Sequence, residues 1–137
     1  MKYNIVLDTN VLLSGLRSKK GASYLLLSMI DDKRIQVNLS TPLVKEYEDV
    51  LNRTTHNLTP EDVCDVLDYL VSIAIGHKIY YLWRPILKDI KDDMVLELAV
   101  KAKSMIITYN KDDFKGAEKF DIQLLDPKEF LILLGEL

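Results

Sequence analysis

Acidic side chains close several of the chain's hydrophobic runs, and these are the residues best equipped to do chemistry. Asp8 ends the short β-favouring run Asn4-Ile5-Val6-Leu7, Asn110, Asp112 and Asp113 follow another such run, and Asp92 and Asp93 stand where an apolar helix begins. Carboxylates that converge on one cavity repel each other, which raises some of their pKa values and destabilises the metal-free state. A divalent cation removes that conflict. Hard oxygen donors without histidine or thiolate suit Mg2+ or Mn2+, whereas zinc prefers nitrogen or sulfur. The two histidines, His56 in a loop and His77 at a strand start, read as solvated or structural, and the single cysteine, Cys64, reads as a small apolar residue.

To act together these acids must be carried to one edge of a fold. Residues 4–7, 35–39, 78–83, 104–108 and 122–125 read as strands. Between them lie a helix over 22–32 behind Gly21 and a helix with Thr41 as N-cap and Pro42 in the first position. A further helix opens at Thr59-Pro60-Glu61-Asp62 with Gly76 as its C-cap; another, over 93–103, is apolar around most of its circumference; the last runs from Pro127 to near Leu134. Strands alternating with helices predict an α/β fold, a single domain over residues 1–137, with a largely parallel sheet of about five strands covered on both faces. Sites in such sheets form beyond the carboxyl ends of the strands, where strand order reverses, and that is where the acids concentrate. At about 100° per residue, Leu43, Val44, Tyr47, Val50 and Leu51 form the inward stripe of their helix, and Glu46 and Glu48 flank it on opposite sides. Either glutamate borders a cleft on this geometry.

Composition narrows the function classes. Of 137 residues, 18 are Lys or Arg and 21 are Asp or Glu, for a net charge of −3, which argues against a binder that works by basic charge alone. It leaves room for an enzyme that meets phosphates through a bound metal. One cysteine excludes an internal disulfide, a zinc finger and a Cys-X-X-Cys redox motif. No apolar run approaches the roughly 20 residues that span a bilayer, and no signal-peptide pattern follows Met1, so the expectation is a soluble cytoplasmic protein without a membrane partner.

Several segments, taken in order, carry a family likeness. They are Asp8-Thr9-Asn10-Val11, Glu46, Asp93 at the apolar helix, Thr108-Tyr109-Asn110-Lys111-Asp112-Asp113-Phe114 and the late Leu125-Asp126-Pro127-Lys128-Glu129-Phe130. Over nearly its whole length the chain resembles PIN-domain ribonucleases, specifically the single-domain prokaryotic, VapC-toxin-like members. The resemblance implies a PIN-like α/β/α sandwich and metal-dependent cleavage of single-stranded or loop RNA, commonly as the toxin half of a toxin–antitoxin pair. It assigns Asp8, Glu46, Asp93 and Asp113 as catalytic, metal-holding acids and Thr9, Asn10, Asp92, Thr108 and Asn110 as supports. Of the adjacent acids Asp93 is favoured, because it directly precedes the apolar helix. Asn110 stands where many members have aspartate, which lowers the local charge and weakens a second metal. The implied chemistry is phosphodiester hydrolysis in which Mg2+ or Mn2+ orients and activates a water.

The remaining features are less specific. Arg17-Ser18-Lys19-Lys20 and Lys33-Arg34 read as RNA-phosphate contacts or as solvated loops. Tyr80, Tyr81 and Trp83 read more readily as core or dimer contacts than as base-stacking surfaces, and Leu25-Leu26-Leu27 suggests a homodimer or antitoxin surface. The alternative to an enzyme is a non-catalytic PIN-like module that binds RNA or protein; retention of all four acids favours the enzyme. An aspartyl-phosphate phosphatase is disfavoured by Asn10 at the second acidic position, and a receiver domain by Trp83-Arg84-Pro85 where the phospho-accepting aspartate would stand.

Overall fold

Ile5, Val6 and Leu7 are completely buried, so the strand they belong to, β1 (Tyr3–Leu7), must be covered on both faces, as expected at the centre of a parallel sheet. A computed structural model describes residues 2–54, 57–78, 87 and 89–137. Among the described residues the sheet is five-stranded, in the order β3-β2-β1-β4-β5, with β2 Ile35–Ser40, β3 Ile75–His77, β4 Met105–Ile107 and β5 Leu124–Leu125. Every pairing is parallel, and Ile5 stands opposite Val37 on one side and Met105 on the other. Strand order therefore reverses at β1, and the crevice at the carboxyl ends of β1 and β4 is the switch point of the sheet.

The helices are α1 Thr9–Arg17, α2 Ala22–Ser28, α3 Thr41–Thr54, α4 Pro60–Ile73, α5 Ile90–Ala102 and α6 Pro127–Leu134. α2 lies on α1 and α6, whereas α5 lies on β1, β2 and β4 and touches α3. This is the expected α/β architecture with helices on both faces of a parallel sheet. Reciprocal capping boxes open α4, through Thr59 and Asp62, and α6, through Asp126 and Glu129, in each case with proline in the first turn.

Several boundaries depart from the sequence reading. The Asp8-Thr9-Asn10 segment is not a loop: α1 starts at Thr9, and Val11, Leu12 and Gly15 are buried at helical spacing. α2 stops at Ser28, and α3 already begins at Thr41, with the Ser40 hydroxyl accepting from the Leu43 N–H at 3.3 Å. Gly76 is not a C-cap. α4 ends at Ile73, Ala74 is extended, and the chain runs straight into β3, where Gly76 pairs with Leu39. β3 stands just ahead of the strand expected over 78–83, of which residues 79–83, with Tyr80, Tyr81 and Trp83, lie outside the described residues, as does His56. α5 begins three residues earlier than expected because Asp89 caps it, accepting from the Lys91 N–H at 2.9 Å. Cys64 is exposed on α4.

Gly15 is where α1 and α2 meet. A Cβ there would collide with Leu27 Cδ1 and come within 2.9 Å of Leu27 Cγ and of the Ser23 carbonyl oxygen. Of the leucine triplet, Leu26 is fully buried, Leu27 packs against the core, and Leu25 is exposed beside Tyr24.

Candidate active site

The first turn of α1 leaves the carboxyl end of β1 at the switch point, so Asp8 sits at the head of the crevice with only 7% of its surface exposed. Its carboxylate does not cap the helix. Instead Oδ2 accepts from Thr108 Oγ1 at 2.7 Å, and the same Thr108 oxygen accepts the Asn110 N–H at 3.0 Å. A buried relay therefore joins the residues after β4 to the residue after β1, and each bond polarises the next. Burial pushes the Asp8 carboxyl above the usual range; the Thr108 and Thr9 hydrogen bonds oppose that shift, and the charges of Asp113 and Glu46 add to it.

Asp92 lies in the same field. Burial, followed by the charges of Asp8, Asp89, Asp113 and Asp93, pushes its carboxyl up to about 7. Its neighbour Asp93 uses Oδ1 to accept the Leu87 N–H at 2.9 Å, holding the chain that enters α5, and its other carboxylate oxygen, Oδ2, is buried. Asp113 is exposed on a short 3-10 turn, Lys111–Phe114, that is anchored by buried Phe114 and by the Asp113 N–H bond to the Asn110 carbonyl at 3.0 Å. Asn110 itself is exposed, Thr9 is buried, and Asn10 is exposed on the first turn of α1.

The choice between Glu46 and Glu48 is made by α3. Tyr47, fully buried between them, donates its hydroxyl to the Leu7 carbonyl at 2.6 Å, and burial followed by the Asp8 charge holds that phenol far above its usual range. Glu46 consequently faces the Asp8 side, with its side chain 14% exposed and Lys91 Nζ 3.5 Å away. Glu48 lines a separate cleft of about 550 Å3 with Val44, Lys45, His77 and Lys78. His77 is structural: Nε2 donates to Asn38 Oδ1 at 2.8 Å, and burial together with Lys101 lowers its pKa.

Four features absent from the sequence reading support the site. They are the Tyr47–Leu7 bond, the Lys91–Glu46 pair, the Asp89 cap and a hydrogen bond between Tyr109 and buried Ser23 that ties the segment after β4 to α2. Arg34 is committed elsewhere, to Asp32, Glu136 and the Leu134 carbonyl, whereas Arg17, Lys19 and Lys20 remain exposed. Among the described residues no three His, Cys, Asp or Glu side chains already form a metal-holding group. The carboxylates of Asp8, Glu46, Asp92 and Asp113 lie within one another's electrostatic reach without closing on one point.

The PIN domain family model matches residues 4–112, and the chain belongs to that family. No curated protein sequence matches it. Solved structures that share its fold include two VapBC assemblies. VapBC2 from Rickettsia felis, bound to a DNA fragment from its promoter, is 14% identical with a TM-score of 0.61 over 90% of this chain and 98% of that one. VapBC-1 from nontypeable Haemophilus influenzae is 14% identical with a TM-score of 0.62 over 91% and 98%. Among the described residues no helix is long and apolar enough to cross a membrane.

Proposed function

We propose that the chain is a metal-dependent endoribonuclease acting on single-stranded or loop RNA in the cytoplasm, as the toxin component of a toxin–antitoxin pair. The observation that carries this reading is Asp8, a buried carboxylate fixed by Thr108 at the sheet's switch point with Asp92, Asp113 and Glu46 in its electrostatic neighbourhood. Membership of the PIN family supports nuclease chemistry, and the likeness to VapBC structures supports an antitoxin partner.

The donor set fits a hard divalent cation. It is all oxygen, and burial plus mutual repulsion raise Asp8 and Asp92, the state of a basin whose charge a cation would relieve. Mg2+ or Mn2+ held there would supply Lewis-acid stabilisation of the charge that develops on the phosphate. Asp8, Asp93 and Asp113, with Asp92 beside them, would hold it, and Glu46 would bind at its edge or accept a proton from the attacking water. Thr108 opposes the rise of the Asp8 carboxyl and aims it, Asp93 also fixes the start of α5 through Leu87, Thr9 and Asn10 shape the first turn of α1, and Asn110 shapes the segment after β4. Exposed Arg17, Lys19 and Lys20 meet the RNA backbone. Tyr24 and Leu25 contribute to a homodimer contact.

The test is cleavage of a mixed single-stranded RNA pool with Mg2+ or Mn2+, with EDTA, and with Asp8→Asn purified identically. Metal-dependent cutting that disappears in the variant supports the nuclease. Failure to cut, with no Mn2+-induced rise in melting temperature, would leave a PIN-like module that binds RNA or protein without cleaving.

A further inference from the structure

Tyr109 is 48% exposed, although its neighbour Thr108 is wholly buried and donates to Asp8 Oδ2 at 2.7 Å. Its hydroxyl is hydrogen-bonded to that of Ser23, a residue of α2 with only 2% of its surface exposed. The side chain is thus anchored at its tip, and what solvent meets is the ring. The anchor also fixes where the ring runs. Ser23 lies three residues beyond Lys20, in the first turn of α2, so Tyr109 reaches from the residue beside the Asp8 relay to the foot of the stretch that joins α1 to α2. That stretch carries Arg17, Lys19 and Lys20, all exposed. It is ordered by Ser18, whose hydroxyl donates to the Lys20 carbonyl at 3.1 Å and accepts the Lys20 N–H at 3.2 Å. Among the described residues none of these three cations is paired with an acid.

We propose that Tyr109 is a platform on which a nucleobase stacks, and that a single RNA strand runs from the Arg17, Lys19 and Lys20 side, where the cations take its phosphates, over the Tyr109 ring towards Asp8. The inference rests on the nuclease reading and gives its substrate a path. Stacking on an aromatic ring needs a free base face, which an unpaired nucleotide offers and a paired one does not. Every base has such a face, so the platform tolerates sequence. Because Ser23 holds the ring by its hydroxyl, little side-chain freedom is lost when a base settles on it. The acids around Asp8 repel a phosphate chain, whereas the three cations attract it on the Ser23 side, which gives the strand a direction of approach.

Binding of a fluorescein-labelled single-stranded RNA oligonucleotide to the full chain, followed by anisotropy in EDTA at low ionic strength, tests the path without turnover. Tyr109→Leu should weaken binding about tenfold. Tyr109→Phe, which keeps the ring and gives up only the Ser23 bond, should retain most of the affinity. An abasic nucleotide walked along the oligonucleotide should, at one position, cost the wild type a similar factor and cost Tyr109→Leu nothing, a coupling that a merely structural tyrosine does not show. Equal binding by the wild type and a folded Tyr109→Leu would overturn the platform and leave Tyr109 as a strut between β4 and α2. So would a loss in Tyr109→Phe as large as that in Tyr109→Leu, or no binding by the wild type. Cutting with Mn2+ judges the nuclease reading separately: a chain that cuts RNA but binds it alike with and without the ring loses only the platform, and one that binds through Tyr109 but never cuts loses only the nuclease.

Discussion

The hydroxyl of Tyr47 donates to the carbonyl of Leu7 at 2.6 Å, joining the helix that carries Glu46 to the residue immediately before Asp8. Both groups are buried, so Tyr47→Phe leaves the carbonyl without its donor. The expected loss is about 1–3 kcal/mol in a urea titration. Cleavage should fall further than stability explains, because Glu46 loses its register against Asp8. Unchanged kinetics in the folded variant would separate Glu46 from the chemistry.

Thr108→Val keeps the shape of the side chain but removes the donor to Asp8. The carboxyl then rises further, and the Mn2+ affinity should drop about 10- to 100-fold. A melting-temperature series against Mn2+ concentration reads this directly. An unaltered series would move the ion away from Asp8.

The metal-free protein should lose stability as pH rises. The Asp92 carboxyl is raised from 3.8 to about 7 in the folded chain, so the folded state holds a proton that the unfolded state releases. Its stabilising share is fully present below about pH 4 and is lost as pH climbs through 7. Asp8 is raised as well and acts in the same direction. Melting temperatures in EDTA should therefore decline over this window, Asp92→Asn should flatten the decline, and Mn2+ at pH 7.5 should reverse it.

Gly15→Ala should destabilise without touching the crevice. The added methyl meets Leu27 and the Ser23 carbonyl, and α1 and α2 must part to admit it. Overpacking of this kind costs about 1–3 kcal/mol. A neutral result would mean that the Leu27 side chain swings aside at no cost.

Legibility in the sequence depended on the range of the interaction. The alternation of strands and helices and the capping signals at Thr59 and Asp126 are local patterns, and they led to the parallel sheet, at whose carboxyl edge Asp8 stands. α1 escaped because polar Asp8-Thr9-Asn10 resembles a loop, although Val11, Leu12 and Gly15 already carry helical spacing. β3 has only three residues, too few for a periodic signal. Asp92 stands three, four and seven residues ahead of buried Val95, Leu96 and Ala99, and Asp93 stands three ahead of Leu96 with Oδ2 buried, so both adjacent acids turn inward. The Tyr47–Leu7 and Lys91–Glu46 contacts join residues 40 and 45 positions apart, which no local pattern encodes.

The bond between Thr108 and Asp8 spans 100 residues, and so does that from Arg34 to the Leu134 carbonyl. On a growing chain β1 and β2 emerge early and can pair, but the central strand waits for its other neighbour until residues 105–107 have left the ribosome. The Asp8 site is therefore assembled only once β4 and Thr108 have emerged. For a chain proposed to cut RNA, the order of translation itself delays activity, because a nascent chain carries Asp8 unaligned until a further 100 residues have been made.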